Sequence, residues 1–147
     1  MSQHKVTLLL GSNLGNPEIN LKVAVKLIVE KVGTVLAFSE IIHSEPVEFV
    51  SSNNFCNIAL VIYTQFSPIK LLDIIKKIEI DMGRVGDSSV TKCYTDRIID
   101  IDIVQYGQLF FDCDRLQIPH VRHLYQREFS SRLLESVKSK MSLNNKH

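Results

Sequence analysis

The sequence predicts an α+β fold of βαββαβ order, with an antiparallel four-stranded core sheet and both main helices on one face. Three observations predict it. Apolar residues fall at Leu21, Ala24, Val25, Ile28 and Val32, the stripe of a one-sided helix, and the same offsets recur at Leu71, Ile74, Ile75, Ile78 and Met82. Two strand-like runs, about Val35 to His43 and Phe55 to Tyr63, lie between those helices. A short apolar strand precedes the first helix, and an alternating strand follows the second. Two helices with matched stripes need one shared surface, and four strands in this order supply it as a ferredoxin-like sandwich.

The elements follow in order. Val6 to Leu10 is a short apolar strand that runs into Gly11-Ser12-Asn13-Leu14-Gly15, read as a turn. Asn16 suits a helix N-cap and Pro17 the first helical position. The two strand-like runs are joined by a polar turn around Ser51 to Asn54, and Ser67-Pro68 opens the second helix as Asn16-Pro17 opens the first. In the run from Phe55, the residues Cys56, Ile58, Leu60 and Ile62 form the side expected to meet the helices. Phe55, Asn57 and Ala59 then point to the opposite, open face.

The last strand carries the most chemistry. It reads Ile99-Asp100-Ile101-Asp102-Ile103, so the isoleucines enter the core while both carboxylates project from the open face. The two acids are ~7 Å apart by strand rise. They repel unless something positive sits between them, and a hard cation such as Mg²⁺ takes oxygen ligands of this kind. On the motif alone, a solvated strand face with two incidental acids accounts for the pattern equally well. A phenyl ring, an amide and two carboxylates on one sheet face would suit a flat polar heterocycle, by stacking and by edge hydrogen bonds. Between the second helix and this strand, the fifteen residues Gly83 to Arg97 have no clean period, as expected of a binding loop or lid. Arg84, Lys92 and Arg97 lie in that loop, with Arg97 abutting the strand. Cations beside a Mg²⁺ site neutralise polyphosphate charge.

Composition sets the remaining bounds. The 147 residues suit a single domain, 1–147, and 45% hydrophobic with 22% charged residues is globular in character. A net charge of +1 gives no basic surface for nucleic acid or membrane, and no apolar run approaches membrane-spanning length. Cys56, Cys93 and Cys113 are odd in number and widely spaced, which reads as reduced thiols in the cytoplasm and not as a disulfide frame or zinc site. His4, His43, His120, His123 and His147 are not at zinc spacing. No phosphate-loop, dinucleotide or nucleophile-elbow motif is present. Residues Glu135 to His147, rich in Lys, Ser and Asn, are expected to fray.

Taken together, these residues resemble the 6-hydroxymethyl-7,8-dihydropterin pyrophosphokinase family of folate biosynthesis. The resemblance runs over about residues 5 to 129, through Leu10 to Asn16, Ser44 to Val47, Phe55 to Asn57, Ile78 to Arg84, Asp96 to Ile103 and Arg115 to His120. It implies transfer of the diphosphate of ATP to the hydroxymethyl oxygen of the pterin, with release of AMP, by a monomer acting on these two small molecules. It also implies roles by position. Asp100 and Asp102 would hold two Mg²⁺ ions. Phe55 and Phe129 would sandwich the pterin, Asn57 would read its edge, and the Ser44 to Val47 segment would contribute backbone hydrogen bonds. Arg84, Lys92, Arg97, Arg115, Arg127 and His120 would surround the nucleotide, with Arg84 and Arg97 joining the two aspartates in catalysis. Glu79 matches a family glutamate on the second helix, placed either at the nucleotide or as a solvated rim acid. The general base stays open between an aspartate and a metal-bound hydroxide. Tyr94-Thr95-Asp96-Arg97 stands where many members have tryptophan-glycine-proline-arginine, and Gly86 where a second arginine is common. A second reading is a catalytically silent module that keeps the pterin and nucleotide pockets without turnover.

Overall fold

The computed structural model describes residues 3–44, 55–83, 98–120 and 128–145. Its elements are β1 (His4–Ser12), α1 (Pro17–Lys31), β2 (Gly33–Phe38), β3 (Ile42–Ser44), β4 (Phe55–Thr64), α2 (Pro68–Asp81), β5 (Asp100–Tyr106), β6 (Phe111–Cys113), β7 (Leu116–Ile118) and α3 (Glu128–Asn145). The main sheet runs β2-β4-β1-β5, all antiparallel, with β3 also paired to β4, and β6-β7 form a separate hairpin. This is the expected ferredoxin-like order with additions.

Both helix starts are built as their sequences suggest. The Asn16 side chain accepts from the Ile19 N–H at 3.2 Å, the Ser67 hydroxyl accepts from the Lys70 N–H at 3.4 Å, and a proline follows each cap. Each cap satisfies one of the donors that a helix start leaves without an intrahelical partner. The buried stripes of α1 (Leu21, Ala24, Ile28) and α2 (Leu71, Leu72, Ile75, Ile78) then close on Val6, Leu8, Leu10, Cys56, Ile58, Leu60, Ile62, Ile99, Ile101 and Ile103 as one core. The central strands β1 and β4 are apolar on both faces because both faces are covered. Gly33 begins β2 where a Cβ would lie 1.9 Å from the Tyr63 carbonyl oxygen, so only glycine lets the chain cross that close to β4.

Three sequence expectations change. The run from Val35 to His43 is not one strand: β2 ends at Phe38 and β3 begins at Ile42. At the break, Ser39 N–H donates to the Ala59 carbonyl at 2.9 Å, and the Ser39 hydroxyl accepts from Ala59 N–H at 2.9 Å. A side-chain oxygen stands in for a ladder carbonyl and lets the strand kink. The second change is at the C-terminus, where the expected fraying of residues 135–147 gives way to helix α3 as far as Asn145. Leu133, Leu134 and Val137 of α3 are buried against Leu9, Ala37, Ala59, Val61 and Val104. The third follows from the second: the sheet face away from α1 and α2 is not open throughout, since α3 covers the part that includes Ala59. The polar turn at residues 51–54 and all but the first residue of the loop at 83–97 lie outside the described residues.

Candidate functional site

Beyond the cover of α3, the second face of the sheet carries polar groups, and the register shows why they meet. Gly11 of β1 lies opposite Asn57 of β4 on one side and Asp100 of β5 on the other. One pleat along, Leu9 lies opposite Ala59 and Asp102. Side chains two residues apart on a strand share a face, so Asn57, Gly11, Asp100 and Asp102 occupy adjoining rows of the same surface. Phe55 extends the β4 column by one more pleat. Both aspartates and Phe55 are half-buried, whereas Asn57 is 5% exposed.

Gly11 is a strand residue here, not part of the turn expected for it. A Cβ at this position would lie 2.8 Å from Asn57 Oδ1 and 3.7 Å from Phe55 Cδ1. The missing side chain therefore gives the amide and the phenyl ring their room over β1. After it, Ser12 and Asn13 are buried, and the Asn20 side chain donates to Ser12 Oγ at 3.1 Å and to the Leu14 carbonyl at 2.8 Å. The first turn of α1 thus holds the chain reversal beside the polar rows in place. Register counting along β1 could have found Gly11, because it shares the parity of Leu9.

Glu79 differs most from expectation. It is 1% exposed, so it is no solvated rim acid. It reaches β5 from α2, accepting from the Ile101 N–H at 2.8 Å and pairing with Lys76 Nζ at 3.3 Å. Ile101 is the residue between the two aspartates, so the buried carboxylate anchors the backbone from which both project. A sequence signal existed: Glu79 continues the Leu72, Ile75 spacing of the buried face of α2.

The other expected site residues divide into groups. Ser44 pairs with Phe55 across β3 and β4, which sets their backbones side by side. His120 follows β7, and its backbone N–H donates to the Val104 carbonyl at 2.8 Å, which places it along β5 two residues past Asp102. Arg115 lies in the β6–β7 turn with its guanidinium on Asp73 of α2; that hydrogen bond first, and the Asp73 charge second, push its pKa up. The pair is half exposed and contributes little to stability. Arg115 is thus engaged by α2 and not by the aspartate rows. Phe129 falls in the first turn of α3. Val47, Arg84, Lys92, Arg97 and Arg127 lie outside the described residues.

The donor set on β5 suits a hard divalent cation. Two half-buried carboxylates on one face offer oxygen only.

The family described as 7,8-dihydro-6-hydroxymethylpterin-pyrophosphokinase (HPPK) matches residues 7–139. The chain is 34% identical over 137 residues to the 2-amino-4-hydroxy-6-hydroxymethyldihydropteridine pyrophosphokinase of Haemophilus influenzae, covering 92% of this chain and 82% of that one. It is 35% identical over 128 residues to the mitochondrial folate synthesis bifunctional protein of Arabidopsis thaliana, covering 87% of this chain. It spans only 22% of that bifunctional protein and 25% of a second one from the same plant. Among solved structures, wild-type Plasmodium falciparum HPPK-DHPS with pterin and p-hydroxybenzoate superposes with a TM-score of 0.70 at 16% identity, over 92% of this chain and 38% of that chain. That likeness is one of fold.

Proposed function

Since this chain belongs to the 7,8-dihydro-6-hydroxymethylpterin-pyrophosphokinase family, we propose that it transfers the diphosphate of ATP to the hydroxymethyl group of 6-hydroxymethyl-7,8-dihydropterin in folate biosynthesis. The pterin hydroxyl oxygen bonds to the β-phosphorus, the bond from that phosphorus to the oxygen bridging to the α-phosphate breaks, and AMP leaves with that oxygen. The hydroxyl proton is released in the same event. One observation carries the reading: the register sets Asn57 and Asp100 on either side of Gly11, with Asp102 one pleat away.

The roles follow from chemistry. Asn57 has both donor and acceptor chemistry for the pterin edge, Phe55 offers a ring face, and by family resemblance Phe129 would supply the second ring. Backbone groups of Ser44 to Val47 complete the pterin contacts. Asp100 and Asp102 would hold Mg²⁺, two ions by family resemblance, which would supply charge neutralisation for the triphosphate. Glu79 acts through the backbone of β5 and not on the nucleotide itself. Arg84, Lys92, Arg97, Arg115, Arg127 and His120 would bind the nucleotide; Arg115 must then exchange Asp73 for phosphate or ribose. The chain works as a single domain, as a monomer, in the cytoplasm. Among the described residues no helix is long and apolar enough to cross a membrane.

The test is direct. Purified chain with ATP, Mg²⁺ and the dihydropterin should yield AMP and the pterin diphosphate. Asp100→Asn and Asp102→Asn should each lower AMP formation by ~100-fold or more while pterin fluorescence still reports binding, because each removes a charged metal ligand. Pterin binding with no AMP from the unaltered chain would instead establish the silent module. A sedimentation mass near twice 16.7 kDa would overturn the monomer.

A further inference from the structure

On the α1 side of the sheet, below Phe55 and Asn57, three metal-ligating side chains from three elements converge. The β3–β4 register sets His43 directly opposite Cys56, with the thiol sulfur 3.2 Å from His43 Nδ1. From the first turn of α1, Glu18 brings Oε1 to 3.3 Å from His43 Nε2. One ligand atom from each residue lies within 4.8 Å of the others. Cys56 is buried, whereas His43 and Glu18 are more than half exposed, so the cluster reaches solvent through those two residues.

We propose that Glu18, His43 and Cys56 form a second metal centre, separate from the aspartate pair, that binds a thiophilic divalent cation such as Zn²⁺ through a carboxylate oxygen, an imidazole nitrogen and the thiolate. The donor types argue for it. Sulfur and imidazole favour zinc and its neighbours over magnesium, and three protein ligands with an open fourth place is a common zinc arrangement. Bond lengths of ~2.3 Å to sulfur and ~2.0–2.1 Å to nitrogen at a tetrahedral ion put those two ligand atoms ~3.5 Å apart. The thiol and His43 Nδ1 already stand close to that separation, whereas the exposed Glu18 carboxylate, now on Nε2, has to turn toward the thiol side of the ring to join them. The backbone of each ligand is held by a regular element: the Asn16 cap and Pro17 place Glu18, and strand pairing places the other two. Burial first and the Glu18 charge second push the pKa of the Cys56 thiol up. A thiol ligates as the thiolate, so metal binding releases its proton to water as the sulfur–metal bond forms. Sequence spacing hides this centre because the ligands come from positions 18, 43 and 56, with no short motif among them.

The experiment uses Co²⁺ on the reduced, chelator-stripped chain. One equivalent should raise a thiolate-to-cobalt charge-transfer band in the near ultraviolet, which one equivalent of Zn²⁺ abolishes and a large excess of Mg²⁺ leaves intact. Cobalt at Asp100 and Asp102 gives no such band, because those ligands are all oxygen. Cys56→Ser should lose the band, and the surface changes Glu18→Gln and His43→Gln should each weaken Co²⁺ binding at least ~10-fold. Absence of the band in the unaltered chain would overturn the centre. So would its persistence in Cys56→Ser, which would assign it to Cys93 or Cys113, or unchanged affinity in Glu18→Gln and His43→Gln.

Discussion

Two residues show how little of this surface is made by the groups that do chemistry. Gly11 contributes an absence: the 2.8 Å approach of its would-be Cβ to Asn57 Oδ1 means that any side chain there pushes the amide aside. Asn57 is a side-chain end, so the fold can yield while the pocket cannot. Gly11→Ala is therefore expected to melt within a few degrees of the parent yet raise the KM for the dihydropterin by ~10-fold or more, measured by AMP release. Glu79 contributes a buried acceptor. Glu79→Ala leaves the Ile101 N–H without its carboxylate and should cost ~1–3 kcal/mol in urea unfolding, together with a fall in kcat. Glu79→Gln keeps an oxygen for that N–H and should recover most of both, which separates the hydrogen bond from the charge. Both roles become legible only when positions are counted along their element. A glycine after a strand reads as a turn, and a glutamate between lysines and isoleucines reads as solvated until its place on the buried face is counted.

At the scale of elements, what is local was legible. The caps at Asn16 and Ser67, the prolines after them and the 3.6-residue stripes of α1 and α2 are short-range patterns, and the structure repeats them. Strand parity also carried through, with Ile101 and Ile103 in the core and Asp100 and Asp102 on the other face. The β2–β3 break was hidden because it depends on one hydroxyl replacing a ladder carbonyl at Ser39, which leaves no periodic trace. Helix α3 was hidden because its apolar residues, Leu133, Leu134 and Val137, are few and follow Ser130-Ser131-Arg132, and its partner surface is assembled from β1, β2, β4 and β5. Its contribution is measurable: Val137→Asp puts a charge where exposure is 0%, and should destabilise by at least ~3 kcal/mol in denaturant. A surface change such as Lys138→Glu should leave the midpoint within ~0.5 kcal/mol.

Over the whole molecule, one sheet separates two kinds of environment. The helix-covered side holds the main core, and the other side passes from an apolar patch under α3 to the polar rows. Two ionisable groups on the core side, Cys56 and Tyr106, have pKa values raised by burial, with the Glu18 charge adding to the effect on Cys56. Tyr106 also donates its hydroxyl to the Phe66 carbonyl at 2.6 Å. The folded chain holds these protons more tightly than the unfolded one, so their contribution is fully present below the unfolded values. It is lost as pH rises through the raised folded ones. Unfolding free energy should thus decline from about pH 8.5 upward and more steeply above about pH 10, and Tyr106→Phe should flatten the upper part of that decline.

The outer rim of β5 has a further consequence. Sheets end in a row of donors and acceptors that invites a foreign strand to add itself, and natural proteins blunt that invitation. Here Glu79 occupies the Ile101 amide and the His120 amide occupies the Val104 carbonyl, so an incoming chain finds both already taken. The same two bonds that steady the acid-bearing strand also guard its flank against fibril-like stacking between copies.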